Sequence, residues 1–184
     1  MKLFLSLKSW QLFSITWGIP ILIYLVVFYF LDPMSTILLF PFAFPFLLIL
    51  FTFGYLGWIW TISVHFNNQL PKKVNLNIRL FKFSFSIAII FIFLIILLWI
   101  IALIDFIPIL PSEKAIFIIF PLFIGSFAII IWSIGFAAQT LKSIELKRKA
   151  SFMDSYGEFL LIWFSIIGYW ILQPKINERV KKML

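Results

Sequence analysis

The sequence predicts an all-α integral membrane protein, a four-helix bundle followed by one shorter C-terminal helix, and three observations support this fold class. The run 36–66 contains no Asp, Glu, Lys or Arg, and as a helix rising about 1.5 Å per residue it exceeds the roughly 30 Å hydrocarbon core of a bilayer. Hydrophobic residues make up 64% of the 184-residue chain and charged residues only 12%, whereas about half of a soluble domain is apolar. The basic residues are concentrated between the long apolar runs.

The first predicted span, 12–31, is long enough to cross a bilayer. No small-residue cleavage pattern follows it, so a retained helix is favoured over a cleaved signal peptide. Lys2 and Lys8 precede it among apolar residues, as in a segment that lies at the membrane interface. Pro20 removes one backbone hydrogen bond and is expected to bend this helix. Asp32-Pro33 is expected to cap the next helix after a tight turn.

Three further spans are predicted, and the second is interrupted near its outer end by Pro41 and Pro45. A basic connection, 67–80, follows the second span, and an N-cap is expected at Ser112 before the fourth. No Gly or Pro interrupts the sequence from the end of the fourth span to Lys149, so that helix is expected to continue outside the membrane as a rod. The predicted spans after the first are 33–66, 83–104 and 115–140.

The distribution of basic residues predicts the orientation of the helices. Every Lys and Arg except Lys114 falls before the first span, between the second and third, or after the fourth. By the positive-inside rule, both termini and the segments that carry these cations lie in the cytoplasm. The predicted location is therefore a bacterial inner (cytoplasmic) membrane that the chain crosses four times. The formal net charge of +8 is a topology signal on this interpretation, and nucleic acid is not an expected partner.

The last apolar run, 159–172, is too short for an ordinary span and is predicted to form the core of a helix over 156–173. Ser155 and Glu158 have the spacing of a capping box at its start, and Gln173-Pro174 marks its end. Because further cations follow, an interfacial or re-entrant half-helix on the cytoplasmic side is favoured over a fifth span. The helix carries a narrow polar stripe made of Glu158, Ser165, Tyr169 and Gln173.

Reactive residues are scarce in this chain. It has no cysteine and a single histidine, which excludes disulfides, thiolate metal sites and metal sites built on a pair of histidines. The sequence has no phosphate-binding glycine loop, no Ser-His-Asp set and no Asp-rich metal motif. No cofactor, metal or catalytic residue is therefore predicted, and the chain is not expected to be an enzyme. The low-ranked alternative is an enzyme that acts on lipid headgroups.

Two groups of polar residues are candidate sites. His65, at the inner end of the second span, and Gln139, in the fourth, are candidates for a polar or pore site. The basic cluster after the fourth span is expected to bind anionic headgroups or a partner, together with polar residues that follow it. This second group comprises Lys147, Arg148, Lys149, Asp154, Glu158, Gln173 and Asn177.

Three C-terminal stretches resemble the signature of a family of small multi-pass bacterial inner-membrane proteins without an assigned function. They are Thr140-Leu-Lys-Ser-Ile-Glu-Leu-Lys-Arg148, Asp154-Ser-Tyr-Gly-Glu-Phe159 and Ile162-Trp-Phe-Ser-Ile-Ile-Gly-Tyr-Trp-Ile-Leu-Gln-Pro-Lys-Ile-Asn177. The family usually has Phe-Pro where Ser165-Ile166 stand here, so the resemblance implies that a kink in this helix is absent. The resemblance implies no catalytic residue. It groups eight residues into one cytoplasm-facing module: Glu145, Asp154, Gly157, Glu158, Trp163, Gln173, Pro174 and Asn177.

Together these features predict a non-catalytic multi-pass membrane subunit, a scaffold or docking platform for a partner or anionic lipid at the cytoplasmic face. Small residues in the second and fourth spans allow the close helix packing expected of a homo-oligomer or of a subunit in a membrane complex. The alternative is a homo-oligomeric pore or membrane-perturbing effector, for which the proline-containing second span and its inner His65 are the motivation.

Overall fold

The computed structural model describes residues 3–30, 45–71, 73–104 and 113–181, and within these ranges the chain forms helices and turns without a β-strand. Two π-helical turns, Ser14–Gly18 and Thr52–Leu56, interrupt the first two long helical stretches. The expectations for Asp32-Pro33, Pro41 and Ser112 lie outside the described residues. In chain order the α-helices are α1 (Leu3–Ser6), α2 (Ser9–Phe13), α3 (Ile19–Phe30), α4 (45–51), α5 (Gly57–Asn67), α6 (Ile78–Ile104), α7 (Glu113–Leu146), α8 (Tyr156–Trp163) and α9 (Ser165–Lys181).

Four helical stretches, here called spans 1 to 4, are long and apolar enough to cross a membrane. Within an 18-residue apolar stretch of each span, half of the residues are buried inside the protein in span 2, compared with 11% in span 1 and 22% in each of spans 3 and 4. Span 2 is therefore the central helix, around which the others pack. For the described residues, the predicted all-α class with four helices of membrane-spanning length is confirmed. Spans 1 to 4 are Ser9–Val26, Pro45–Asn67, Ile78–Ile101 and Ile119–Leu146.

The two π-helical turns lie against each other where spans 1 and 2 meet. In span 1, the backbone N–H of Ile19 donates to the carbonyl oxygen of Ser14, so the helix widens just before Pro20, whose ring nitrogen has no hydrogen to donate. Thr16 in one turn packs against Gly54 in the other, and a Cβ at Gly54 would lie 2.6 Å from Thr16 Oγ1. Glycine is therefore required where these two helices cross.

Spans 3 and 4 pack along each other. Phe81, near the start of α6, stacks on Phe136, near the end of α7, with ring centroids 4.6 Å apart. Phe91, further along α6, lies beside Gly125, which comes earlier in α7. The contacts therefore run in opposite directions along the two helices, and aromatic rings fill the space between them.

The observed ends of α6 and α7 differ from those expected. α6 begins at Ile78, earlier than expected, because the side-chain oxygen of Asn77 accepts a backbone N–H in its first turn. α7 continues past residue 140, as predicted, but it ends at Leu146 and does not reach Lys149. Lys147 adopts a left-handed conformation, with φ of 53°, which stops the helix.

The C-terminal segment is two helices rather than the single helix predicted over 156–173. α8 and α9 are separated by Phe164, whose φ and ψ of −88° and 62° are not helical. The resemblance implied that a kink is absent here, and instead the helix breaks completely. A Cβ at Gly168 would overlap the carbonyl oxygen of Leu161, so glycine permits the close approach of α8 and α9 after the break.

Two further expectations for this segment are wrong. α9 does not end at Gln173-Pro174 but continues through Pro174. Leu172 and Ile176, on either side of it, are buried, and burying two such side chains stabilises by about 3–6 kcal/mol, which offsets the roughly 3 kcal/mol cost of an internal proline. The capping box of Ser155 and Glu158 does not form, because the Ser155 hydroxyl donates to two carbonyl oxygens of the preceding turn.

The two ends of the α8–α9 hairpin lie at the same end of α7. Glu158, in the first turn of α8, pairs with Lys142 at 3.4 Å. Arg179, near the end of α9, pairs with Glu145 at 3.4 Å. The hairpin therefore begins and finishes beside the C-terminal end of span 4, with Phe164 at its tip. α1 and α2 pack against α9, which brings the two ends of the described chain together.

Candidate functional site

A row of polar side chains on α9 joins the C-terminal helix to spans 1 and 2. Its members recur every four residues and therefore lie on one face of the helix. Trp17 Nε1 donates to the first, at Ser165 Oγ (3.0 Å). The second, Tyr169, donates its hydroxyl hydrogen to Thr16 Oγ1 (3.1 Å). We call this row the polar spine, and it consists of Ser165, Tyr169, Gln173 and Asn177.

Gln173 is fully buried and uses both ends of its amide. Its Oε1 accepts from Trp58 Nε1 at 2.8 Å. Its Nε2 lies 2.9 Å from the carbonyl oxygens of both Phe4 and Leu7 and 3.0 Å from Asn177 Oδ1. These carbonyls belong to α1 and the turn after it, which a short helix leaves unpaired. The C-terminal helix therefore supplies the hydrogen bonds that the N-terminal segment lacks.

A side chain of span 2 forms a hydrogen bond at the break between α8 and α9. Tyr55, in the second π-helical turn, donates its hydroxyl to the carbonyl oxygen of Ile162 (2.9 Å), one of the carbonyls left unpaired at the end of α8. Trp58, one turn further along, packs edge-on against Tyr169 with ring centroids 4.7 Å apart. These buried polar groups bond to one another, as a structural network does.

One ion pair organises the turn between α7 and α8. Arg148 Nη1 and Nη2 donate to the two carboxylate oxygens of Asp154 at 2.9 and 3.2 Å. The backbone N–H of Ser151 donates to Asp154 Oδ2 at 2.8 Å. The Arg148 bonds first, and then those from Ser151, favour the charged carboxylate and lower the pKa of Asp154 from 3.8 to about 2. Arg148 and Asp154, both candidate binding residues, therefore bind each other.

A groove of about 850 Å³ lies where α6 begins and α7 ends. We call it the cationic groove. One wall is a single face of α7, whose residues recur at one-turn intervals from Ile131 to Gln139, and the segment 75–79 at the start of α6 forms the opposite wall. The groove is completed by Lys149, Phe152 and Phe159, from the turn after α7 and from α8.

The lining of the cationic groove combines charge with apolar surface. Arg79 and Lys149 are exposed cations, and the Gln139 amide lies nearer the C-terminal end of α7 than the aromatic rings of Trp132 and Phe136. Within the described ranges, the side chains of Arg79, Lys149 and Gln139 form no hydrogen bond or ion pair, and no carboxylate lines the groove. The groove can therefore receive an anionic group attached to an apolar one.

The structure distributes the predicted binding group over several places, of which the Arg148–Asp154 ion pair is one. Lys149 lines the cationic groove, while Lys147 is exposed at the end of α7. Gln173 and Asn177 belong to the polar spine. Glu158 lies on α8 and pairs with Lys142, so it is not part of a stripe shared with α9. The residues of the predicted module thus lie in one region of the fold. Most of their polar side chains bond to other groups of the protein.

The two candidates for a polar or pore site, His65 and Gln139, do not line the same groove. Gln139 lines the cationic groove, whereas His65 does not. His65 Nε2 lies 2.8 Å from Nε2 of Gln69, one turn further along the chain. Among the described residues, no group of three His, Asp or Glu side chains is placed to hold a metal ion.

Several residues of these sites escaped the sequence analysis. Arg79 entered it only as a topology signal, and nothing in the local sequence marks it as a groove residue. Trp58 and Tyr55 looked like ordinary aromatic residues of an apolar span. Asn177 was predicted as a binding residue but not as part of the polar stripe, although it follows Gln173 by four residues and extends the stripe by one turn.

The fold and site together define a class, an all-helical protein with four helices of membrane-spanning length and a cationic groove at one end. No family model, curated protein or solved structure matches the chain. The geometry and chemistry of its own residues therefore carry the information on its function.

Proposed function

We propose that the protein is a non-catalytic subunit of a bacterial inner membrane, a docking platform that holds a partner at a surface of anionic headgroups. The cationic groove carries this proposal, because it places unpaired cations beside an apolar wall at one end of helices with membrane-spanning length. Each Lys or Arg near an anionic membrane surface contributes about 1 kcal/mol of attraction. A cationic end of this kind is therefore held at the headgroups and available to a partner.

Both termini lie in the cytoplasm in this proposal. The positions of the described cations support it, since those before α2, at the start of α6, after α7 and in α9 lie at the same end of the bundle. Lys8 adjoins Leu7, whose carbonyl oxygen accepts from Asn177 of α9. Arg179 of α9 reaches Glu145 of α7. In a bacterial inner membrane, the end that carries the cations faces the cytoplasm.

The α8–α9 hairpin enters the membrane from the cytoplasmic side and returns to it. Its two ends lie beside the same end of α7, and large apolar side chains surround its tip. Phe164, Ile167 and Trp170 are 58%, 57% and 54% exposed, as expected where lipid covers them. On the opposite face of α9, the side chains of the polar spine form hydrogen bonds within the protein, as polar groups inside a membrane must.

The pairing of the acidic residues supports a non-catalytic role. An enzyme that acts on headgroups needs a carboxylate free to exchange a proton with its substrate. Asp154 is bonded to Arg148, and its low pKa makes it a weak base. Glu158 is paired with Lys142. Neither carboxylate lines the cationic groove.

Crosslinking in native membranes tests the proposal. The full chain, expressed at its natural level, is treated with a photoactivatable diazirine crosslinker, which inserts into C–H and N–H bonds and does not need lysine, and the mass of the extracted complex is measured. We expect a complex heavier than one chain, which is lost when Lys147 and Lys181 are both replaced by Gln. The control is Lys114→Gln, at the opposite end of span 4, which should leave the complex intact. Extraction of a single chain without any crosslinked partner would show that the proposal is wrong.

A further inference from the structure

The cationic groove has the features of a binding site for a single amphiphile. Gln139 lies eight positions after Ile131 in α7, so the groove runs about 12 Å along the helix axis. Its polar groups are the two cations Arg79 and Lys149 and the amides beside them, and its apolar wall is aromatic. A ligand that fills it must carry negative charge at one end and hydrocarbon at the other.

We propose that the cationic groove binds one anionic phospholipid, with its phosphate between Arg79 and Lys149 and an acyl chain along Trp132 and Phe136. This inference rests on the proposed function, because it requires that the cationic end lie at the headgroups. The lipid is then a structural ligand of the docking platform, and it closes the gap between α6, α7 and α8.

The exposed surface next to the groove favours a lipid over a free anion. Trp132 is 40% exposed although it lies in span 4, and Leu80 and Phe83, on the first turns of α6, are 49% and 67% exposed. The apolar wall therefore continues onto a surface that lipid covers in a membrane. A free phosphate would use the cations and leave this wall unfilled, whereas an acyl chain covers it.

Gly135 offers a way to fill the groove without disturbing the helix that forms its wall. A Cβ at Gly135 would meet no other atom within 4 Å, so a leucine there projects into open space. Gly157, on α8, lies outside the groove lining and is equally open. The same change at these two positions thus separates occupation of the groove from a general effect of replacing glycine in a helix.

Lipid binding by the full chain in nanodiscs of phosphatidylcholine tests the inference. Phosphatidylglycerol is titrated in, and the lipid retained by each chain is counted by native mass spectrometry. We expect one tightly retained phosphatidylglycerol, bound about thirtyfold more weakly after the double change Arg79→Gln and Lys149→Gln, which removes two headgroup cations. Gly135→Leu should also weaken retention.

The controls remove the same charge or the same glycine elsewhere. Lys73→Gln with Lys175→Gln, two exposed lysines outside the groove lining, and separately Gly157→Leu, should leave retention unchanged. If both pairs of charge-removing substitutions weakened lipid retention equally, the effect would come from general surface charge, and the inference would be wrong. If soluble glycerol phosphate competed for the groove as strongly as the lipid does, the groove would be a site for a free anion, and the inference would also be wrong. Either result leaves the crosslinking test of the docking platform unaffected.

Discussion

At the scale of single residues, Gln173 is the group on which both ends of the described chain depend. It is fully buried and bonds to Trp58, to Asn177 and to the carbonyl oxygens of Phe4 and Leu7. A buried polar group that loses its partner costs about 1–3 kcal/mol. Removal of this one amide therefore leaves several groups without partners at once.

We predict that Gln173→Leu lowers the free energy of unfolding by about 3 kcal/mol, because the Trp58 N–H and the Phe4 carbonyl oxygen lose their partner, while the Leu7 carbonyl oxygen keeps its bond from Asn177. Thermal unfolding in detergent, followed by tryptophan fluorescence, measures the loss. The matched control is Gln11→Leu, which removes an exposed bond to the Lys8 backbone N–H and should cost less than about 1 kcal/mol. Equal losses in the two variants would contradict a central role for Gln173.

The stabilising effect of the Asp154 carboxylate on the turn after α7 depends on pH. Its pKa is lowered from 3.8 to about 2 by Arg148 and Ser151. The stabilisation of the turn after α7 is therefore complete above pH 3.8 and disappears as the pH falls through about 2. A carbon-13 titration of the Asp154 carboxyl measures this directly. Arg148→Gln should move the titration toward 3.8, and a titration unchanged by that variant would show that the ion pair does not form.

At the scale of elements, the α8–α9 hairpin depends on a glycine after the break. A Cβ at Gly168 would overlap the Leu161 carbonyl oxygen, whereas one at Gly157 would meet nothing within 4 Å. We predict that Gly168→Ala destabilises the hairpin by about 2 kcal/mol, since the helices must move apart. Gly157→Ala should change stability by less than about 1 kcal/mol.

Limited proteolysis of the purified chain, together with its melting temperature, checks this pair of glycine variants. The hairpin of the Gly168→Ala protein should be cleaved faster than that of the Gly157→Ala protein. If both variants resist cleavage equally, the two helices are not closely packed at this point.

At the scale of the whole molecule, the absence of cysteine from the chain makes the orientation directly testable. Lys73→Cys and Lys181→Cys are expected to react with a membrane-impermeant maleimide only after the cells are permeabilised, because the cationic end faces the cytoplasm. Lys114→Cys should react in intact cells. Labelling of Lys73→Cys in sealed cells would reverse the orientation and with it the proposed docking surface.

The long helices and their apolar character were predictable from the sequence because hydrophobicity is a property of each residue and adds along a run. The sequence also placed Ser165, Tyr169 and Gln173 on one polar face, since helical spacing alone decides which residues share a face. It could not show that α8 and α9 are separate helices. The break at Phe164 depends on contacts of span 2 with the end of α8, through Tyr55.

By itself, the sequence determined that this is an all-α chain with four helices of membrane-spanning length, and it predicted which end carries the cations. Only the tertiary structure decided that Gln173 bonds to Trp58 and to the N-terminal carbonyls, and that Arg79 and Lys149 line one groove. The physical reason is that the apolar runs and the positions of the charges are properties of the sequence itself. A buried hydrogen bond or a groove instead requires residues from distant segments to lie within a few ångströms of one another.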